Sequence, residues 1–111
     1  MKMDTKQFKR VDLLTVGGRV DSSNAHILEQ QIKEIMDRGQ YRIAIDFADL
    51  QFLSSGGIRV LISAVKAARR WNRGDVRLAE VPKQIKETFE LAGLTPIFRI
   101  FDCSVDAVGS F

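Results

Sequence analysis

Ser54-Ser55-Gly56-Gly57 is the stretch of this chain best suited to binding or modification. Two hydroxyls and two glycines stand directly ahead of an apolar-periodic run that begins at Ile58. One reading is a helix cap, in which a hydroxyl accepts a hydrogen bond from an orphaned helix N–H and the glycines permit a tight turn. The other is an anion site. A helix N-terminus carries partial positive charge and aims free N–H groups outward, and glycines let the backbone come close. Neither GxxxxGK-S/T nor GxGxxG is present, so neither nucleotide fingerprint is met. A phosphoryl group attached covalently to one of these serines satisfies the same physics.

Three carboxylates, Asp21, Asp46 and Asp49, are candidates for one mouth. Together they could hold magnesium or do acid/base work; apart, Asp21 caps a helix and Asp49 makes a turn. No lysine or histidine stands beside them to complete a catalytic set. The single histidine, His26, excludes any two-histidine metal site, and the single cysteine, Cys103, excludes an internal disulfide and a cysteine-only zinc site. Arg59, Lys66, Arg70 and Arg73 follow one another at steps of seven, four and three, with no acid from Ile58 to Gly74. They form one basic stripe, either a solvated face or a landing strip for an acidic partner. Beside it Val60, Ala64, Ala67 and Trp71 form a second apolar stripe.

The elements that position these groups are readable from periodicity. With 111 residues the chain is expected to be one domain over 1–111, large enough to bury about two thirds of its surface. Leu13–Val16 reads as a strand ended by Gly17-Gly18, paired with a short one around Thr5–Lys9. After the cap cluster Asp21–Asn24, residues Ala25, Leu28, Ile32 and Ile35 recur at helical spacing. Tyr41–Phe47 alternates as a strand, and Ala48–Leu53 reads as a connection. A helix from about Gly57 to Asn72 carries Ile58, Leu61, Val65 and Ala68 as its core stripe. A short strand Val76–Ala79 follows. Then come a helix opened by Pro82, with Ile85, Phe89 and Ala92 inward, a last strand Ile97–Ile100, and a helical turn capped by Ser104. Strands alternating with helices give an α/β fold with a mainly parallel sheet. In such sheets ligands and partners meet the loops at the carboxyl ends of strands.

No apolar stretch is long enough to span a membrane and the N-terminus lacks the apolar run of a signal peptide, so a cytoplasmic protein without membrane insertion is expected. A net charge of +3 with interleaved acids gives little support to nucleic-acid binding.

These residues, taken in order, resemble a known family. Gly18-Arg19-Val20-Asp21 is similar to its G-R-L-D. Ile43–Phe47 followed by Phe52-Leu53-Ser54-Ser55-Gly56-Gly57-Ile58-Arg59-Val60-Leu61 resembles its strand–loop–helix segment, apolar-Asp-Leu and then F-I/L-D-S-S-G-L-x-V-L. Leu91–Leu94, Phe98–Ile100 and Ser104 with Ala107 resemble its C-terminal pattern. The family is the STAS domain, as in bacterial anti-sigma factor antagonists, and the likeness runs from about Val11 to Val108.

The resemblance implies a mixed, mainly parallel sheet of four or five strands with surrounding helices, no catalytic activity and no cofactor. It implies a partner that is both an anti-sigma factor and a serine kinase, with a phosphatase that resets the switch. Ser55 stands at the phosphoacceptor position. Asp21, Ser54, Ser55, Gly56, Gly57 and Arg59 are the expected partner-binding residues, and Asp46 is a flanking acid. Two positions depart from the pattern: Ser54 replaces the aspartate before the acceptor, and Gly56 replaces the second serine. Two other functions remain open. One is a STAS module that binds without phosphorylation, beside a transporter or in a regulatory scaffold. The other is a small α/β enzyme using Asp21 and Asp46.

Overall fold

In the computed structural model, which describes residues 1–111, the chain alternates strand and helix around one sheet. Its elements are β1 (Lys2–Gln7), β2 (Asp12–Val20), α1 (Ala25–Asp37), β3 (Arg42–Asp46), β4 (Leu50–Leu53), α2 (Ser55–Arg69), β5 (Asp75–Ala79), α3 (Lys83–Leu91), β6 (Ile100–Phe101) and α4 (Ser104–Gly109). The strand order is β1-β2-β3-β5-β6, with β4 beside β2. Only β1 runs antiparallel, to β2. The mixed, mainly parallel sheet expected from the sequence is present, with six strands rather than four or five.

The extra strand comes from β2 and β4. β2 does not stop at Gly17-Gly18 but continues to Val20. Its first half, Asp12–Thr15, pairs with β3, and its second half, Gly18–Val20, pairs with β4. The stretch Ala48–Leu53, expected to be a connection, is therefore a turn followed by a strand. Gly18 adopts φ +83°, where the register shifts between Gly18 and Arg19. That left-handed conformation suits glycine and lets the strand bend without ending.

Alternation along the strands sorts side chains onto two faces. Leu14, Val16, Ile43, Ile45, Val76 and Leu78 join the main core under α1, α2 and α3. Ala44 and Ala79 point the other way, and their small size lets Ala107 of α4 pack on them with Val11. The helical stripes bury Ala25, Leu28, Ile32 and Ile35 of α1, Leu61, Ala64, Val65 and Ala68 of α2, and Ile85 and Phe89 of α3. Ala92, expected inward, is exposed because α3 ends one residue before it. α2 runs from Ser55 to Arg69, and a 3-10 turn covers Arg70–Asn72. The expected strand over Ile97–Ile100 is displaced, because Pro96 sits in a 3-10 turn over Thr95–Ile97. Pairing resumes only at Ile100. Between α2, β5 and the C-terminus, the buried Asp75 carboxylate accepts from Arg69 (2.8 Å) and Arg77 (3.1 Å). Arg77 also donates to the carbonyl and hydroxyl oxygens of Ser110, which ties down the chain end.

Gly57 locks α2 onto the β2–β4 seam. A Cβ there would lie 2.6 Å from Leu53 Cδ1 and 2.9 Å from Val20 Cγ1, both on buried side chains. At Gly56 a Cβ would meet nothing closer than 3.6 Å. Gly57→Ala is therefore expected to destabilise by about 1–3 kcal/mol through overpacking, whereas Gly56→Ala leaves the thermal midpoint nearly unchanged. Equal midpoints for the two variants in thermal melts would contradict this packing. Leu61 is fully buried, so Leu61→Ala should cost roughly 2–5 kcal/mol in denaturant unfolding.

Candidate functional site

Ser54 and Ser55 are adjacent in sequence but occupy different environments. The Ser54 N–H donates to the Val20 carbonyl (2.8 Å), extending the β4–β2 pairing by one bond. Its backbone is extended at φ −75°, ψ 167°, and its Oγ accepts from the Gly57 N–H at 3.2 Å. Ser54 is thus the N-cap of α2, and its half-buried hydroxyl is engaged there. Ser55 is the first residue of the helix and is exposed. Its hydroxyl stands at the positive end of a helix of 15 residues whose first turn holds no acid. The cap and the exposed hydroxyl, left as alternatives by spacing alone, are two separate serines.

The head of α1 lies beside this loop. A Cβ on Gly56 would sit 3.9 Å from Ala25 Cβ and 3.9 Å from an Arg59 guanidinium nitrogen. Arg59 therefore reaches back toward the helix start, and it shares a helix face with Ser55 at i,i+4. Asp21 follows Val20 directly, so its loop adjoins Ser54 through the Ser54–Val20 bond. The Asp21 Oδ1 accepts from both the Ser23 hydroxyl (2.6 Å) and the Ser23 N–H (2.9 Å). These two bonds, hydroxyl first, hold its carboxyl below the usual carboxylate range, with a smaller pull from Arg19. Asp21 is an anion at neutral pH. Asn24 completes the loop by accepting from the Asp21 N–H and donating to the Arg19 carbonyl.

Asp21, Ser54, Ser55, Gly56, Gly57 and Arg59 are thus brought to one end of the molecule. Asp46 is not brought there. It shares the sheet face of Ala44, where its carboxylate accepts from the Ser104 hydroxyl (2.6 Å) and the Ala48 N–H (2.8 Å), so it fastens α4 to β3. Asp49 lies in the exposed turn before β4, where its carbonyl accepts from the Gly18 N–H. No group of three or more His, Cys, Asp or Glu side chains converges in a way that could hold a metal ion. His26 is exposed on α1 and Cys103 is half-buried at the start of α4.

Two neighbours of the loop escaped sequence reasoning. Arg19 and Phe52 face each other across β2 and β4, with the guanidinium 4.4 Å from the ring centroid. Both are exposed, so the loop is flanked by a cation resting on an aromatic face. The signal for this pair is the strand register, which stays invisible until β4 is recognised. All four residues of the basic stripe, Arg59, Lys66, Arg70 and Arg73, are exposed. Arg73 is spent locally, with its guanidinium donating to the Ala67 and Arg70 carbonyls and stacking 3.8 Å from the Tyr41 ring centroid.

No helix is long and apolar enough to cross a membrane. The family model described as STAS domain matches residues 2–107. BtrV of Bordetella bronchiseptica, a candidate anti-sigma factor antagonist, is 29% identical over 111 residues, spanning 100% of this chain and 95% of that protein. The crystal structure of an anti-sigma factor antagonist from Mycobacterium paratuberculosis superposes with a TM-score of 0.87 at 20% identity, covering 98% of this chain and 92% of the other. The phosphorylated form of the Bacillus cell-fate determinant SpoIIAA superposes with a TM-score of 0.75 at 15% identity, covering 98% of both chains. With the family match spanning nearly every residue from β1 to α4, the chain belongs to the STAS domain family.

Proposed function

We propose that this protein is an anti-sigma factor antagonist that acts by binding and not by turnover. In this reading it docks through the loop at the head of α2 onto a cytoplasmic anti-sigma factor that is also a serine kinase. Phosphorylation of Ser55 releases it and a phosphatase resets it. The observation that carries the reading is the division between the two serines: Ser54 is bound as the helix cap and Ser55 is exposed. Similarity to BtrV over the whole chain supports the partner class.

The energetics favour a switch that acts on the complex and not on the fold. A phosphate on Ser55 adds about −1.5 to −2 charges at pH 7. The start of α2 stabilises such charge by roughly 0.3–1 kcal/mol, and Arg59 one turn on adds a cation on the same face. A partner packed flat on the loop would have to bury that dianion beside the Asp21 carboxylate. A loss of about 4 kcal/mol weakens a complex roughly a thousandfold.

A second reading, a STAS module that binds without being phosphorylated, draws on Ser54, which stands where the family pattern has an aspartate. The two readings separate on one experiment. The protein is incubated with its cognate kinase and ATP, and the modified residue is mapped by mass spectrometry. Phosphate on Ser55, constitutive binding by Ser55→Ala and weakened binding by Ser55→Asp are expected. Ser54→Ala should still be phosphorylated while losing about 1 kcal/mol of stability with its cap. Phosphate on Ser54 would move the site by one residue. No phosphate on either serine, with binding intact, would leave the second reading in its place.

A further inference from the structure

α1 and α2 lie side by side with their N-termini at the same end, and an apolar groove of about 450 Å³ runs between them. Its floor is Ile32 and Met36 of α1, Tyr41, and Val60, Ala64 and Ala67 of α2. The two rims differ. On the α1 rim, Lys33 pairs with Asp37 at 3.1 Å and Glu29 adds an unpaired carboxylate, so that rim is net acidic. On the α2 side the lining ends at Ser63, and on the adjoining helix face beyond it stand Arg59, Lys66 and Arg70, all exposed and none in an ion pair, with no acid between Ile58 and Gly74. Trp71, which follows Arg70 in the 3-10 turn after α2, is 82% exposed. Its backbone is left-handed, φ 61° and ψ 22°, a conformation that a bulky side chain adopts only at an energetic cost. The fold thus holds a strained aromatic in solvent beside three unpaired cations and an apolar trough.

We propose that the α1–α2 groove docks an amphipathic helix of a protein partner, with that helix's apolar stripe on the floor and a row of acidic residues along Arg59, Lys66 and Arg70. Trp71 closes the end of the groove over the bound helix. Two parallel helices with a trough between them fit the helix-in-groove mode, in which anchors at i, i+3, i+4 and i+7 enter the floor. Charge complementarity with the basic face of α2 sets the direction in which the acids must point. Ser55 does not line the groove, which adjoins the Ser55 site only through Arg59, and the inference does not depend on phosphorylation.

The test uses the full chain, labelled with nitrogen-15, and three probes. The first is a synthetic helix of about 18 residues with a leucine stripe flanked by glutamates. The second is its twin with lysines in place of the glutamates, and the third is vesicles of phosphatidylglycerol. The glutamate peptide should shift the amide signals of Val60, Ala64, Ala67 and Trp71 and bind about tenfold more tightly than its twin, a margin that narrows as salt rises. Charge reversal of Arg59, Lys66 and Arg70 to glutamate should remove that preference. Trp71→Gly, which relieves the strained backbone, should melt no lower than wild type yet bind about thirtyfold more weakly. Equal affinity for the two peptides, shifts confined to other surfaces, or undiminished binding by folded Trp71→Gly would overturn the proposal. Binding of the vesicles without binding of the glutamate peptide would also overturn it, and would assign the patch to a membrane surface.

Discussion

The parallel pairing of Gly18–Val20 with Leu50–Leu53 is the constraint on which the rest of the molecule's working end depends. It carries β2 past the point where two glycines would otherwise end a strand. It also delivers Ser54 against the Val20 carbonyl, so that the chain leaves β4 and turns directly into α2. Gly57 then seats the first turn of α2 on Leu53 and Val20, closer than any side chain allows. Because β2 leads to α1 and β4 leads to α2, one seam sets the heads of both helices side by side. The Asp21 loop and the serine loop meet as a consequence of backbone pairing and close packing, without any bond between their side chains.

That arrangement separates structural from available chemistry. The Ser54 hydroxyl satisfies a helix N–H that would otherwise lack a partner. Ser55, one residue on, is free to carry charge at the positive end of the helix. Asp21 is held ionised by Ser23 while its loop closes on itself through Asn24. The site thus has an anion already in place on one side and a helix head with Arg59 on the other. Along the outer face of α2 Arg59, Lys66 and Arg70 are exposed with no acid among them, and α2 itself ends among basic residues, as its dipole favours.

The helical stripes were readable in advance because Leu28, Ile32 and Ile35, like Leu61, Val65 and Ala68, repeat at the helical period and each is buried. β3 and β5 were equally plain, since Ile43, Ile45, Val76 and Leu78 alternate with residues of the other face. β4 was not, because its four residues show only Leu50 and Leu53 buried and hold Phe52 in solvent, a pattern no different from a loop. The glycines of β2 misled for a related reason. A Gly-Gly pair ordinarily marks a turn, but here Gly17 packs against Asp49 and Gly18 supplies a bend within a continuing strand. For the site, the spacing of Ser54-Ser55-Gly56-Gly57 located the helix head, while the assignment of the cap to Ser54 required the Gly57 N–H to be seen. Asp46 had a carboxylate's credentials and the wrong face. Its side chain follows the parity of Ala44, and that places it under α4.

The most direct measurement compares the affinity of the unmodified chain for the anti-sigma factor of the proposed function with that of the same chain carrying phosphoserine at position 55, by calorimetry, alongside an amide spectrum of each free form. A loss of affinity of roughly a thousandfold, with spectral changes confined to the head of α2 and the Asp21 loop, is the predicted result. Unchanged affinity, or a phosphorylated chain that has lost its tertiary fold, would contradict the assignment of Ser55 as a switch acting on the complex.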